Sequence, residues 1–365
     1  MALITVKTSG GDYDSVAEAV AAATGSGDAA RPQIIDIYDG TYTESDTIVL
    51  AAGKNNVTIQ GNSGDATAVI ITNTTQRQMW HLGRTTSGTI IQNVTSYHNK
   101  NSQTNTMFYG ALPSPSSSAP YARFTIRDCI LQCKENGIRY WGTGSLVERC
   151  VIERIAGGSA NQIWAFYATP HAKVSEGHAG LEGGIQVDAC LFKYWYDYGM
   201  YVTNGNTVVR NCTFIGGTST DDDAFRLTGL NNKIYNTIVY SNPADRLDTG
   251  FRFGLANATN LIKNCISFGG ATTDYTNCGS PTVGLSTCKD DGDVDTDGND
   301  IFIAGLRAGG SGSSYHPHAD GLAYQNGTTD SFPQYDLSGS AFNASSPSIG
   351  CYEAVVTGYT HAIFG

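Results

Sequence analysis

Short runs of alternating apolar and polar residues recur along most of the chain, separated by turns rich in Gly, Asn and Thr. One version begins at Asp197, DYGMYVTNGNTVVRNCTF. Variants begin at Glu135 (ENGIRYWGTGSLVERCVI), Asp222 (DDAFRLTGLNNKIYNTIV) and Asp248 (DTGFRFGLANATNLIKNCIS). Each opens with an acid, places a small residue two positions later, and runs into a short alternating segment. A turn and a second alternating run follow, usually ending in Cys. The second runs align without gaps: VTIQGN from Val57, TIIQNV from Thr89, FTIRDC from Phe124, SLVERC from Ser145, IQVDAC from Ile185, TVVRNC from Thr207, KIYNTI from Lys233 and LIKNCI from Leu261. Period-two alternation with β-branched residues predicts strands. Cys129 and Cys150 are 21 residues apart, and Cys190 and Cys212 are 22 apart. That is short for a strand–helix–strand unit and long for a hairpin. It fits one coil of a parallel β-solenoid, whose coils must stack because none buries its apolar face alone.

Stacking superimposes equivalent positions about 4.8 Å apart. It predicts an inward column of Cys129, Cys150, Cys190, Cys212 and Cys265, preceded by Val94 and including Thr237 or Ile238. A buried thiol is first a small packing group, and no CxxC or zinc spacing occurs. In GIRYW, GMYVT, AFRLT and GFRFG, Ile138, Met200, Phe225 and Phe251 are expected to face inward. Arg139, Tyr201, Arg226 and Arg252 then line an outer face, with Glu135, Asp197, Asp222 and Asp248 at the strand entrances and His81 extending the row.

The pattern of small–apolar–x–apolar, a turn and apolar–x–x–Asn–Cys resembles the right-handed parallel β-helix superfamily of pectate-lyase-like proteins. Their carbohydrate-binding and sugar-hydrolase repeats are especially similar, and the resemblance covers roughly Val6 to Glu353. It implies an all-β, single-stranded right-handed parallel β-helix with an N-terminal capping helix. It does not imply one activity, because the fold carries lyases, hydrolases, esterases, epimerases and non-enzymatic viral fibres. SGGDYDSVAEAVAAA, GTYTES and NVTIQG resemble the cap and first coil of pectin methylesterases. The later catalytic segments of those esterases have no counterpart here. HLGRTT at His81 matches only a fragment of their arginine motif, in another place. GHAG at Gly177, the acids Asp221, Asp222 and Asp223, and DTDG at Asp295 echo polygalacturonase motifs in a different order, and assign nothing.

The expected organisation is one continuous domain: a strand and capping helix over 1–30, coils over 31–270, and loops, a closing coil and a tail over 271–365. Ser15 or Asp14 caps the helix, Val16, Ala17, Ala19 and Val20 form its apolar face, and Gly25 ends it. The C-terminal SPSIGCYE resembles a closing coil that pairs with the last strands. Residues 110–121 read as a projecting loop, and residues 157–184 as a second insertion holding a strand around Ile163–Tyr167 and then a loop with His171, Lys173, Glu176, His178 and Glu182.

Composition narrows the function. Of 365 residues, 43 are Gly and only 15% are charged, which suits turn-dense β structure. A net charge of −11 without a basic block argues against a nucleic-acid partner. No apolar run reaches the ~20 residues that span a membrane, and MALITVK lacks a signal-peptide core. Nine cysteines with no export signal fit synthesis in a reducing cytoplasm. Virion association or another release route would then place the protein outside cells. TNCGSPTVGLSTC encloses a loop that a Cys278–Cys288 disulfide could close after release. Asp293, Asp295, Asp297 and Asp300 around Gly298 have the spacing of a structural Ca²⁺ loop, or of an acidic turn.

Two functions are expected from these residues. One is a virion-type surface, decoration or fibre protein that binds glycans, with Glu135, Arg139, Tyr201, Arg226, Asp248 and Arg252 as ligand contacts. Its partners are polysaccharides or cell-surface glycans, capsid or tail proteins, and further copies of the chain. The alternative is a polysaccharide lyase or glycoside hydrolase, with Asp197, Asp222, Asp223, Arg226, Arg252, His171 and His178 as catalytic candidates. A lyase needs a base and a cationic stabiliser of the enolate. A hydrolase needs two carboxylates across the scissile bond, about 5–5.5 or about 6.5–9.5 Å apart.

Overall fold

A computed structural model describes residues 3–83, 86–100, 105–110, 123–140, 144–156, 164–168, 185–195, 198–203, 205–216, 223–240, 248–268, 273–278, 285–289, 323, 326–329 and 332–351. The chain divides into two compact units, 1–185 with 201–204, and 186–200 with 205–365. Each is a parallel β-helix in which the chain visits three sheets in turn. In the first unit, sheet one runs Leu3–Val6, Gln33–Ile37, Val57–Gly61, Thr89–Gln92, Phe124–Arg127, Leu146–Glu148. Sheet two runs Gly40–Thr43, Val69–Asn73, Thr95–His98, Ile130–Cys133, Val151–Arg154. Sheet three runs Ile48–Leu50, Gln78–Leu82, Thr106–Gly110, Asn136–Tyr140, Trp164–Ala168. In the second unit, sheet one holds Gln186–Asp188, Val208–Arg210, Lys233–Tyr235 and Leu261–Lys263. Sheet two holds Leu191–Trp195, Thr213–Gly216, Ile238–Tyr240 and Ile266–Phe268. Sheet three holds Asp223–Leu227, Thr249–Phe253 and Thr273–Thr276, and the strand Tyr198–Val202 is divided, its first three residues in the second unit and Tyr201 and Val202 in the first. The winding is right-handed, the hand that twisted strands impose on parallel crossovers.

A left-handed residue makes the corner between sheets one and two in successive coils. Asn93, Asp128, Arg149, Ala189, Asn211, Asn236 and Asn264 all have φ between 49° and 57°. Asn takes this conformation more readily than most residues because its short side chain bonds locally. The bend turns the next side chain inward: Val94, Cys129, Cys150, Cys190, Cys212, Thr237 and Cys265 are all buried. The thiols donate to carbonyls, as Cys129 does to Arg127 at 3.1 Å and Cys150 to Glu148 at 3.3 Å. Burial raises the Cys129 and Cys265 thiols well above their ordinary value, so they stay protonated.

Sheet three supplies the large core side chains at the positions expected to face inward. Trp80 stacks on Phe108 at 5.4 Å, Phe225 on Phe251 at 5.6 Å, and Phe251 on Tyr275 at 5.5 Å. Ile138, Met200, Phe225 and Phe251 are fully buried.

The helix Val16–Ala22 buries Val16, Ala19 and Val20, while Ala17 is half-buried. Ser15 is its N-cap, accepting from the Glu18 N–H at 3.3 Å. Glu44, from the first coil, accepts from the Ser15 hydroxyl at 2.7 Å and from the Val16 and Ala17 N–H groups at 2.7 and 3.3 Å. At the other end Lys54 Nζ donates to the carbonyls of Val20 and Ala21 at 3.3 and 2.6 Å. An anion and a cation thus sit at the ends the helix dipole favours. Gly25 follows the helix at φ 78°, where a Cβ would lie 2.8 Å from the Asn55 backbone. Among the described residues no helix is long and apolar enough to cross a membrane.

The end of the described chain does not form the expected closing coil. In the second unit, Leu191, Ile215, Ile238, Tyr240, Ile266 and Phe268 put an apolar surface on the outer face of sheet two. Ala323, Leu337, Ile349 and Cys351 pack on it. The strap is fixed by the corner asparagines: Asn211 Nδ2 donates to Ser348 O at 2.8 Å, and Asn236 Oδ1 accepts from Thr328 N–H at 2.7 Å. SPSIGC therefore lies across the coils, because those outward apolar side chains need a cover more than the last strands need a partner. Residues 111–121, 157–163 and 169–184 of the expected insertions, the acidic segment 290–300 and the tail from 352 lie outside the described residues.

His98, in sheet two of the first unit, is fully buried between Asn73 and Cys133 of the neighbouring strands, with Arg154 one strand further. Its Nε2 lies 3.0 Å from Gln76 O, and its Nδ1 has no hydrogen-bond partner among the described residues. Burial lowers its pKa, Lys100 adds to this, and Gln76 and Glu135 oppose it. The unfolded chain therefore binds this proton more readily. His98 stability is full above its ordinary value of 6.5 and is lost as pH falls below that, towards the lowered folded value. Comparing wild type with His98→Leu in denaturant between pH 7.5 and 5 should show a shallower loss of stability in the variant. For Glu44→Ala, losing charged hydrogen bonds to buried donors should cost about 1.5–3 kcal/mol. Thermal unfolding with proteolysis of the N-terminal segment would read this.

Candidate functional site

The three outer faces differ in what their polar groups do. On sheet one of the first unit they bond to one another. Gln60 donates to Asp36 at 2.9 Å, Gln92 to Gln60 at 2.9 Å and Arg127 to Gln92 at 2.7 Å. At the adjacent corner Arg149 forks onto Asp128 at 2.7 and 2.9 Å. Sheet two of the second unit is covered by the strap. Sheet three is the face that presents large, partly exposed side chains in a row.

In the first unit, parallel register aligns Val49, His81, Tyr109, Arg139 and Tyr167 along sheet three. His81 and Tyr109 meet edge to face at 5.4 Å. The Arg139 guanidinium lies 5.6 Å over the Tyr167 ring. Tyr167 contacts Tyr201 at 5.5 Å, and Trp164, three residues earlier on the same strand, lies 4.8 Å from Tyr167. Burial lowers the pKa of His81, keeping it a neutral imidazole near pH 7. Inward aromatic stacking beneath the row holds the strand register, so the outer rings are positioned by the core. Sequence reasoning singled out His81, Arg139 and Tyr201 but missed Tyr109, Trp164 and Tyr167. The segments MFYGA from Met107 and AFYA from Ala165 carry the same strand pattern, and setting Phe108 and Phe166 against Ile138 places Tyr109 and Tyr167 on Arg139; Trp164, one residue ahead of that pattern, had no such signal.

In the second unit the outward residues form an ion-paired cluster. Asp223, at the first position of its strand, is 1% exposed. Its carboxylate lies 3.3 Å from Arg252 Nε and 3.9 Å from Arg226 Nη1. Arg226 also donates to the Tyr198 hydroxyl at 3.2 Å, and Arg252 to the Thr249 hydroxyl at 2.9 Å. The acid thus holds two guanidinium groups in place on adjacent strands, with Arg226 and Arg252 side chains 33% and 28% exposed. A carboxylate held between two cations is stabilised in its ionised form. That suits positioning better than proton donation.

The other candidates are scattered. Glu135 is fully buried at the turn before its strand, so its side chain is withdrawn from the outer face on which a ligand contact was expected. Asp248 is exposed, one residue ahead of Thr249. Asp197, Asp222, His171, His178, Asp293, Asp295, Asp297 and Asp300 lie outside the described residues. Among the described residues no group of three or more His, Cys, Asp or Glu is placed to hold a metal.

No protein-family model and no curated protein matches this sequence. Several solved structures are similar to the chain at low identity. A pectin methylesterase from Aspergillus niger, in deglycosylated form, is 14% identical with a TM-score of 0.46, over 81% of this chain and 87% of that one. A pectin methylesterase from carrot is 14% identical with a TM-score of 0.36, over 79% and 87%. The PL6 family alginate lyase AlyGC is 12% identical with a TM-score of 0.41, over 75% of this chain and 40% of that one. The chain is a right-handed parallel β-helix protein, which is the class its three parallel sheets define.

The role given to Asp223 is testable by stability. Asp223→Ala should destabilise the protein by at most the ~3–5 kcal/mol seen when one partner of a buried ion pair is removed. Solvent contact at both guanidinium groups should reduce the figure. Arg252→Met in the same background should recover part of the loss, and a double-mutant cycle in denaturant would measure the coupling.

Proposed function

We propose that the outer face of sheet three in the first unit binds a polysaccharide, including glycans on a cell surface. The observation that carries this reading is the row His81, Tyr109, Arg139, Tyr167 and Tyr201, flanked by Trp164. Rings that are apolar on the face and polar at the tip suit a sugar, which has both kinds of surface. A guanidinium in the row can fork onto hydroxyls or a carboxylate. The row rides on parallel strands, so its rungs repeat at about 4.8 Å and binding requires little ordering of the protein.

The finer reading is a surface, decoration or fibre component of a virion-type particle, with capsid or tail proteins as further partners. A rigid, elongatable scaffold with protonated interior thiols suits assembly in a reducing cytoplasm followed by release. Binding is favoured over degradation by Asp223, whose carboxylate is committed to Arg226 and Arg252.

The deciding experiment incubates the purified chain with a panel of acidic and neutral polysaccharides. It follows binding by affinity electrophoresis and cleavage by new reducing ends and unsaturated-product absorbance. Retention without cleavage is expected. Failure to bind any member would sink the proposal, and turnover would replace it with a lyase or hydrolase. Tyr109→Ala and Tyr167→Ala should each weaken binding by about two- to tenfold, from the ~0.5–1.5 kcal/mol of a ring contact, with unchanged thermal stability.

A further inference from the structure

Cys265 ends the last corner between sheets one and two in the second unit. The next described segment beyond its coil, 285–289, docks beside it. Ile266 and Lys289 form a parallel bridge. The Lys289 N–H donates to Cys265 O at 2.8 Å, and the Ser267 N–H to Lys289 O at 3.0 Å. In that register Cys288 is the lateral neighbour of Cys265. Adjacent parallel strands lie about 4.8 Å apart, within the ~4.4–6.8 Å Cα separation that disulfides use. Cys265 is fully buried, whereas Cys288 is partly exposed.

The surroundings divide the labour between these thiols. The adjacent Cys265 thiol lowers the Cys288 thiol, against the opposing effect of burial, and the Cys265 backbone, the Thr287 hydroxyl and the Asn264 backbone add to the lowering. The left-handed Asn264, φ 50°, donates its N–H to the Thr287 hydroxyl at 2.9 Å and so holds the residue before Cys288 against the corner. Burial holds Cys265 protonated until its partner has reacted. The nearby Cys278 is arranged differently. It is buried, its thiol contacts the carbonyls of Phe251 and Thr276 at 3.6 and 3.4 Å, and burial pushes it up to about 12. Loop spacing allowed a Cys278–Cys288 bridge, whereas the Ile266–Lys289 register makes Cys265 the lateral neighbour of Cys288.

We propose that Cys288 and Cys265 are a redox-reactive pair, in which Cys288 is attacked first by oxidant and Cys265 resolves the product as an intrachain disulfide. The co-reactant is a low-molecular-weight disulfide. The Cys288 thiolate attacks one of its sulfurs, forming a mixed disulfide and releasing one thiolate, which takes up a proton. Cys265 then loses its proton to solvent and attacks the Cys288 sulfur, expelling the second thiolate. Two protein thiols are oxidised and one disulfide is reduced to two small thiols. The bond would fasten 285–289 to the end of the last coil described.

The test treats the folded full chain with oxidised glutathione at neutral pH, then blocks remaining thiols and maps peptides by mass spectrometry. The expected product has lost two hydrogens, carries no glutathione and links Cys265 to Cys288. Cys265→Ser should stop at a glutathione adduct on Cys288, and Cys278→Ser should leave the linkage unchanged. In unmutated protein, brief iodoacetamide treatment should label Cys288 at least tenfold faster than any of the other eight thiols. A Cys278–Cys288 linkage, a lasting glutathione adduct on unmutated protein, or a Cys288 that labels no faster than the rest would overturn the proposal.

Discussion

The left-handed corner between sheets one and two is the constraint on which the rest depends. An L residue in that conformation costs roughly 1 kcal/mol or more, yet it recurs at three corners of the first unit and four of the second with φ held within a few degrees. Ala189 and Arg149 occupy it without the local bonding that favours Asn. Hydrogen bonds to the coils on either side keep each corner in place, as from Asn211 N–H to Tyr235 O and from Asn236 N–H to Lys263 O. The bend then decides direction in two ways. It turns the following Cys, Val or Thr into the core, and it leaves its own side chain at the surface.

That outward column is used differently in the two units. In the first, Asp128 and Arg149 pair with each other across adjacent coils. In the second, Asn211 and Asn236 become anchors for the strap. At the last corner, Asn264 helps shape the surroundings of Cys288. One backbone conformation therefore supports a core column, a covering layer and a reactive thiol, depending on which side chain stands beside it.

Sheet one of the first unit bonds its outer polar groups to one another, and sheet two of the second unit is covered. On sheet three the outward position is free to vary, because the core is filled from the residue before and the residue after. Aromatic and cationic residues occupy that position in the first unit. In the second it holds two arginines restrained by a buried aspartate. Removing water from Asp223 is tolerated because opposite charge lies within 4 Å on two sides.

Local pattern alone determined the repeat, its strands and the inward thiol column. Period-two alternation and left-handed Asn or Asp signals act within a few residues, and stacking makes each coil repeat the same answer. The outward placement of Arg139, Tyr201, Arg226 and Arg252 was legible for the same reason. Tyr109 and Tyr167 were not recognised, since insertions after their strands hide the period. Other features depend on contacts between residues far apart in sequence, and only the tertiary structure decided them. Glu135 looked like a surface acid until neighbouring coils enclosed it, and Asp223 looked free until Arg252 arrived from the next strand. SPSIGC looked like a last coil, but the apolar outer surface from Leu191 to Phe268 drew it across the sheet. Cys288 pairs in register with Cys265 rather than Cys278, because strand alignment, and not loop length, sets which thiols become neighbours.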